Sequence, residues 1–97
     1  METFERSEWE SIQAAFARFL AGAGTVRSED DTLTFDGSPT VDTRLVVHRD
    51  GMSESFMPLH GLSARWDRIS FSPDGDTVTL SAEGVEYVYR VPPALRA

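Results

Sequence analysis

The feature that most constrains the fold is a phrase near the end of the chain, "RISFSPDGDTVTLSAEGVEYVYR", Arg68 to Arg90. It holds three runs of alternating apolar and polar residues, separated by Asp74-Gly75 and Glu83-Gly84. An acid–glycine pair between alternating runs is a hairpin signal. Centring one hairpin on Asp74-Gly75 sets Phe71 against Val78 and Ile69 against Leu80. Centring the next on Glu83-Gly84 sets Leu80 against Tyr87 and Val78 against Tyr89. Both turns then place Ile69, Phe71, Val78, Leu80, Val85, Tyr87 and Tyr89 on one face. The opposite face carries Ser70, Ser72, Thr77, Thr79, Ser81, Glu86 and Arg90, with Val88 as its apolar member. A one-residue slip would exchange the faces, so agreement between two turns fixes the register.

The SPDG turn resembles the strand–turn–strand phrase of β-propeller repeats, over about a dozen residues. A propeller needs several blades, and no segment recurs here at a fixed period. "DGD", Asp74 to Asp76, lacks the further ligands and distal glutamate of an EF-hand loop. The phrase is read as the register mark of a meander.

The N-terminal third has helical spacing. Trp9, Ile12, Phe16, Phe19, Leu20 and Ala23 form one stripe. "SEWE", Ser7 to Glu10, has the capping-box pattern, and a start near Thr3 also fits. Gly22 or Gly24 supplies a terminus. The helix is expected over about residues 4–23. "TLTFD", Thr32 to Asp36, then alternates with period two. "TVDTRLVVHRDGMSESFMPLH" is expected to form a hairpin about Asp50-Gly51. That register pairs Leu45 with Phe56, putting Val41, Leu45, Val47 and Phe56 on one face and Val46, Met57 and Leu59 on the other. Between Trp66 and Ile69 the apolar parity breaks, which implies a bulge or bend near Asp67-Arg68. "VPPALRA" is an extended tail over 92–97.

The expectation is therefore one α+β domain over 1–97. An N-terminal amphipathic helix packs on one face of an antiparallel meander sheet of about five or six strands within 25–91.

Composition narrows the functional classes. With no cysteine, disulfides and thiolate metal sites are excluded. No apolar run reaches the ~20 residues of a membrane span, and the acidic N-terminus has no signal core; the cytoplasm is the expected location. All nine basic side chains are arginine, sixteen residues are acidic, and the net charge is −7. This balance resembles that of salt-accumulating halophilic archaea, with a high-GC bacterium as the alternative. Nucleic acid is a poor partner for such a charge.

No motif carries chemistry by itself. There is no G-x-S-x-G elbow and, without lysine, no Walker loop. "GAG", Gly22 to Gly24, follows a helix and is read as its end. "SEDD", Ser28 to Asp31, is read as a solvated turn. The two histidines, His48 and His60, fall on opposite faces and are too few for a zinc site. No metal, cofactor or catalytic residue is expected. Arg44, His48 and Arg65 are the candidate ligand-binding residues, a small anion patch if their strands are neighbours. Val46, Met57, Leu59 and Trp66 are the candidate interface residues, on the sheet face the helix leaves uncovered. The function expected is a small non-enzymatic protein-interaction or self-associating module, most simply a homodimer. The alternative is a small-molecule or anion-binding module, or a minor enzyme, using the Arg44/His48 region.

Overall fold

The computed structural model describes residues 2–57 and 60–95, with the backbone alone at 57 and 60–62. The architecture is α+β, with one N-terminal helix and two antiparallel sheets. The strands are β1 (Glu2–Glu5), β2 (Thr25–Ser28), β3 (Thr32–Asp36), β4 (Arg44–His48), β5 (Met52–Met57), β6 (His60–Arg65), β7 (Arg68–Phe71), β8 (Thr77–Ala82) and β9 (Val85–Arg90). The helix α1 spans Trp9–Leu20. One sheet has the order β1-β7-β8-β9 and the other β2-β3-β4-β5-β6. Two sheets replace the single sheet expected from sequence.

The parity break at Trp66 is where the chain changes sheets. The Trp66 N–H donates to the Gly51 carbonyl on the five-stranded side, at 2.8 Å, and the next amide, Asp67, donates to Ser81 on the four-stranded side, also at 2.8 Å. Each sheet turns one face inward, and α1 lies against β1, β2 and β3. The shared core takes Trp9, Ile12, Phe16 and Leu20 from the helix, Leu33, Phe35, Leu45 and Val47 from one sheet, and Ile69, Phe71, Val78 and Leu80 from the other. Fully burying one such side chain contributes roughly 1.5–3 kcal/mol.

The helix is shorter than its apolar stripe. Residues 2–5 form β1, antiparallel to β7, with Phe4 opposite Ile69 and Glu5 opposite Arg68. The Ser7–Glu10 capping box does not form. The helix starts one residue later, with Glu8 at the N-cap position, and the Glu8 carboxylate instead accepts the Glu5 N–H at 2.9 Å. At the other end Ala21 and Gly22 (φ 82°) make a type II turn, closed by the Ala23 N–H on the Leu20 carbonyl at 3.1 Å.

The C-terminal meander has the register read from its turns: Phe71 faces Val78, Leu80 faces Tyr87, and Val78 faces Tyr89. Glu83 and Gly84 both have positive φ (51° and 80°), as a two-residue type I′ turn requires. The Asp74-Gly75 connection has more residues than the two expected. The Gly75 N–H donates to the Ser72 carbonyl and the Ser72 N–H to the Thr77 carbonyl, at 3.3 and 3.0 Å. Ser72 Oγ donates to Asp74 Oδ1 at 2.6 Å and accepts from the Asp76 and Thr77 amides. The Ser72 hydroxyl, and after it the Asp76 amide, which donates to Asp74 Oδ1 at 3.0 Å, hold the Asp74 carboxyl below its ordinary pKa.

The β4–β5 hairpin differs by one residue from the sequence expectation. Leu45 stands opposite Ser55 and Arg44 opposite Phe56. The connection is the three-residue loop Arg49-Asp50-Gly51, in which the Gly51 amide donates to the His48 carbonyl at 3.1 Å and Gly51 takes a φ of 102°. A glycine in that region after a tight turn is the three-residue hairpin solution. The slip exchanges faces: Phe56 is 42% exposed, while Ser53 and Ser55 point inward and are buried. Ser53 Oγ donates to the Ala64 carbonyl at 2.7 Å, and Ser55 Oγ shares a 2.6 Å hydrogen bond with the Tyr87 hydroxyl. Tyr89 OH and Thr43 Oγ1 make a second bridge between the layers at 2.6 Å.

Candidate functional site

The outer face of the five-stranded sheet carries all three sequence-predicted ligand residues. In its ladders Asp36 stands opposite Arg44, Thr32 opposite His48, and Met52 opposite Arg65. They share a face without sharing a site. Arg44 and His48 are four residues apart on β4, about 13 Å at strand rise, and Arg65 sits two strands away beside Met52.

Each neighbourhood has its own charge arrangement. Arg44 Nε lies 3.8 Å from the Asp36 carboxylate. Arg27, one strand further out on β2, bears on the same carboxylate from the other side. Asp36 also accepts the Ser38 amide at 2.9 Å, and the bonds from Ser38, ahead of the two guanidiniums, hold its carboxyl below the ordinary value. Thr25, Arg27, Thr34, Asp36, Ser38 and Arg44 line an open cleft of about 380 Å³. His48 is engaged on both ring nitrogens, Nε2 to Glu54 at 2.7 Å and Nδ1 to Thr32 at 3.4 Å. Arg65 has no ion pair among the described residues. The face carries the ion pairs Arg44–Asp36 and His48–Glu54, two arginines without an ion pair among the described residues, and the apolar Val46 and Phe56 between them. Arg27 was missed by the sequence reading; its alternation with Val26 in "TVRS" was the signal available.

The interface candidates are also separated. Val46 is half-buried on this outer face, between Thr34 and Glu54 in the ladder. Trp66 presents no surface to a partner. Its ring is fully buried, stacks obliquely near Trp9 at 6.3 Å between centroids, and donates through Nε1 to the His48 and Met52 carbonyls at 3.0 and 3.1 Å. Leu59 and the side chain of Met57 lie outside the described residues, as does that of His60. No helix among the described residues is long and apolar enough to cross a membrane, and no group of three His, Cys, Asp or Glu side chains stands ready to hold a metal.

A different surface emerges at the rim of the four-stranded sheet. Of the four sheet ends, β1 carries Glu2, tied to Arg18 of α1 at 3.0 Å, β2 lies against α1, with Gln13 bonded to Ser28 and Glu29, and β6 pairs with β5 alone among the described residues. β9 is the last strand of its sheet and has hydrogen-bond contact with β8 alone. Its phase is fixed at both ends. The two-residue turn makes Ala82 and Val85 a hydrogen-bonded pair. Beyond the strand, the Val91 N–H donates to the Asp76 carbonyl at 2.7 Å, in the same phase. Val85, Tyr87, Tyr89 and Val91 thus commit their backbone groups to the β8 side, and Glu86, Val88 and Arg90 direct theirs away from the sheet. No described group bonds to those outward amides and carbonyls. Val88 is 48% exposed, Glu86 and Arg90 are exposed, and neither charge has an ion pair among the described residues.

The strand is unbroken along this rim: no proline or glycine falls within "VEYVYR", and Pro92-Pro93 stand just beyond it. Beside the β8–β9 turn an open groove of about 470 Å³ runs to the end of β6, with Arg65, Asp67, Val85 and Tyr87 in its walls. Sequence parity had placed Glu86, Val88 and Arg90 together on the outer face; that their strand ends a sheet depended on the tertiary layout. No protein-family model matches the chain, and no curated protein or solved structure matches it.

Proposed function

We propose that this chain is a non-enzymatic protein-interaction module whose binding element is the free edge of β9. One observation carries the reading: a six-residue strand ends its sheet with the backbone groups of Glu86, Val88 and Arg90 unused by any described residue. An edge of this kind is a template for an added strand. An acidic, lysine-free chain of this composition suits the cytoplasm of a halophilic archaeon, where molar salt screens the self-repulsion of its surface.

Selection of random heptapeptides on the isolated protein tests the edge. Selected peptides are expected to bind as extended strands, to shift the amide resonances of Glu86, Val88 and Arg90, and to lose binding to Val88→Pro, which removes an outward N–H. Peptides that bind Val88→Pro as well as the parent would contradict the reading.

A second reading has its own observation. Arg27 has no ion pair within 4 Å among the described residues, and it shares one carboxylate's field with Arg44, so a small anion could complete the cleft. Titration with inorganic phosphate should give heat that disappears in the Arg27→Ala/Arg44→Ala variant; no heat with the parent would dismiss it.

A further inference from the structure

Resting on the proposed use of the β9 edge, we infer that its partner is a second copy of the same strand, paired antiparallel about a twofold axis through Val88. The strand is self-complementary in that arrangement. With Val88 opposite Val88 of the second copy, Glu86 falls opposite Arg90, and Arg90 opposite Glu86. The residues that meet in this register are also the ones whose amides and carbonyls point outward, so the pairs are of the hydrogen-bonded kind. The phase set by the Ala82–Val85 turn and the Val91–Asp76 bond requires this. About six backbone hydrogen bonds would form, two for each residue pair.

Side-chain chemistry agrees with backbone phase. Glu86, Val88 and Arg90 lie on the outer face of the four-stranded sheet. A twofold axis perpendicular to the sheet keeps that face common to both copies. The two exposed charges, each without an ion pair among the described residues, would then face opposite charges across the seam. The half-exposed Val88 would be covered by its own copy. Opposite charges directly across strands are favourable and like charges are not. A shift of two residues along the strand would set Val88 against a charge and lose both ion pairs. A parallel arrangement would set like charges level with each other. The joined sheets would form one antiparallel sheet of both copies, closing the exposed edge by the commonest oligomer symmetry.

The seam is narrow, which places it among weak, concentration-dependent contacts. Sedimentation equilibrium of the whole chain, from micromolar to about 1 mM, should show the average mass rising toward twice the monomer's. Glu86→Arg and Arg90→Glu each turn both symmetry-related ion pairs into repulsive ones, and each should weaken association by about tenfold or more. The double variant Glu86→Arg/Arg90→Glu restores complementarity with the signs exchanged and should recover the parent's dimerisation. Both positions are at the surface, and circular dichroism identifies any variant that fails to fold. A parent that stays monomeric to 1 mM overturns the self-pairing; peptide binding lost in Val88→Pro would still uphold the edge. Dimerisation indifferent to the single swaps, or not recovered in the double swap, also overturns it by assigning the contact to another surface.

Discussion

Tyr89 shows how one side chain joins the two layers. Its ring is fully buried and its hydroxyl meets Thr43 Oγ1 at 2.6 Å. Burial, the largest influence, raises its pKa above the ordinary 10.0. The folded state therefore holds the proton more tightly than the unfolded chain. The associated stability is fully present below pH 10 and is lost as pH rises through the raised folded value. Tyr89→Phe should lower stability by about 1–2 kcal/mol at neutral pH and flatten this alkaline loss, both readable from urea melts at pH 7 and above pH 10. Equal alkaline slopes in the two proteins would argue against the tyrosine as its source.

Gly24 is constrained by space. A Cβ there would collide with the Asp36 carbonyl and stand 3.0 Å from the Phe35 ring. The carbonyl belongs to the ladder in which Thr25 faces Asp36, so it cannot move away alone. Gly24→Ala should cost roughly 1–3 kcal/mol, as overpacking does. Gly22, which faces open space but has positive φ, makes an informative partner: its alanine variant is strained by backbone conformation instead.

At the scale of elements, the β4–β5 hairpin decides which residues form the core. Its three-residue loop puts Phe56 outside and Ser53 and Ser55 inside. Phe56→Ser should therefore change stability by no more than about 0.5 kcal/mol, while Leu45→Ala should cost about 2–5 kcal/mol; chemical denaturation of both variants checks the register. A large loss from Phe56→Ser would restore the two-residue turn. The sequence was legible where local signals agreed. The meander's two turns each implied the same face, and the helix stripe kept its register even though its start was misplaced. It was less legible where a tertiary partner decided the matter. "ETFE" is too short to show a period, and becomes a strand by pairing with β7. Asp50-Gly51 fits both two- and three-residue loops, and in the structure Gly51 takes a φ of 102° while Arg6, from the segment before the helix, donates to the Arg49 carbonyl of the same loop at 3.3 Å. The parity break at Trp66 was visible, but its cause was the passage between sheets. Of the candidate site, alternation put Arg44 and His48 on one face, while Arg65 joined them only if its strand were a neighbour, and β5 lies between β4 and β6. Their separation came from the ladder offsets, which no single strand encodes.

Across the whole molecule, the two sheets share one core and leave their outer faces to polar ladders. Neither outer face is an extended apolar surface, so a partner is better sought along an edge, where backbone groups supply the attraction. On the four-stranded side the edges are β1 and β9, and β9 is the one proposed for this role. Hydrogen exchange at single amides tests this most directly. In dilute protein, Tyr87 and Tyr89, bonded toward β8, should exchange slowly, and Glu86, Val88 and Arg90 quickly. As the concentration approaches 1 mM, the three fast amides should become protected together, while those of Thr34, Val46 and Glu54 on the other sheet stay as they were. Slow exchange of the three amides already in dilute protein, or protection on concentration that spares them, would contradict the account.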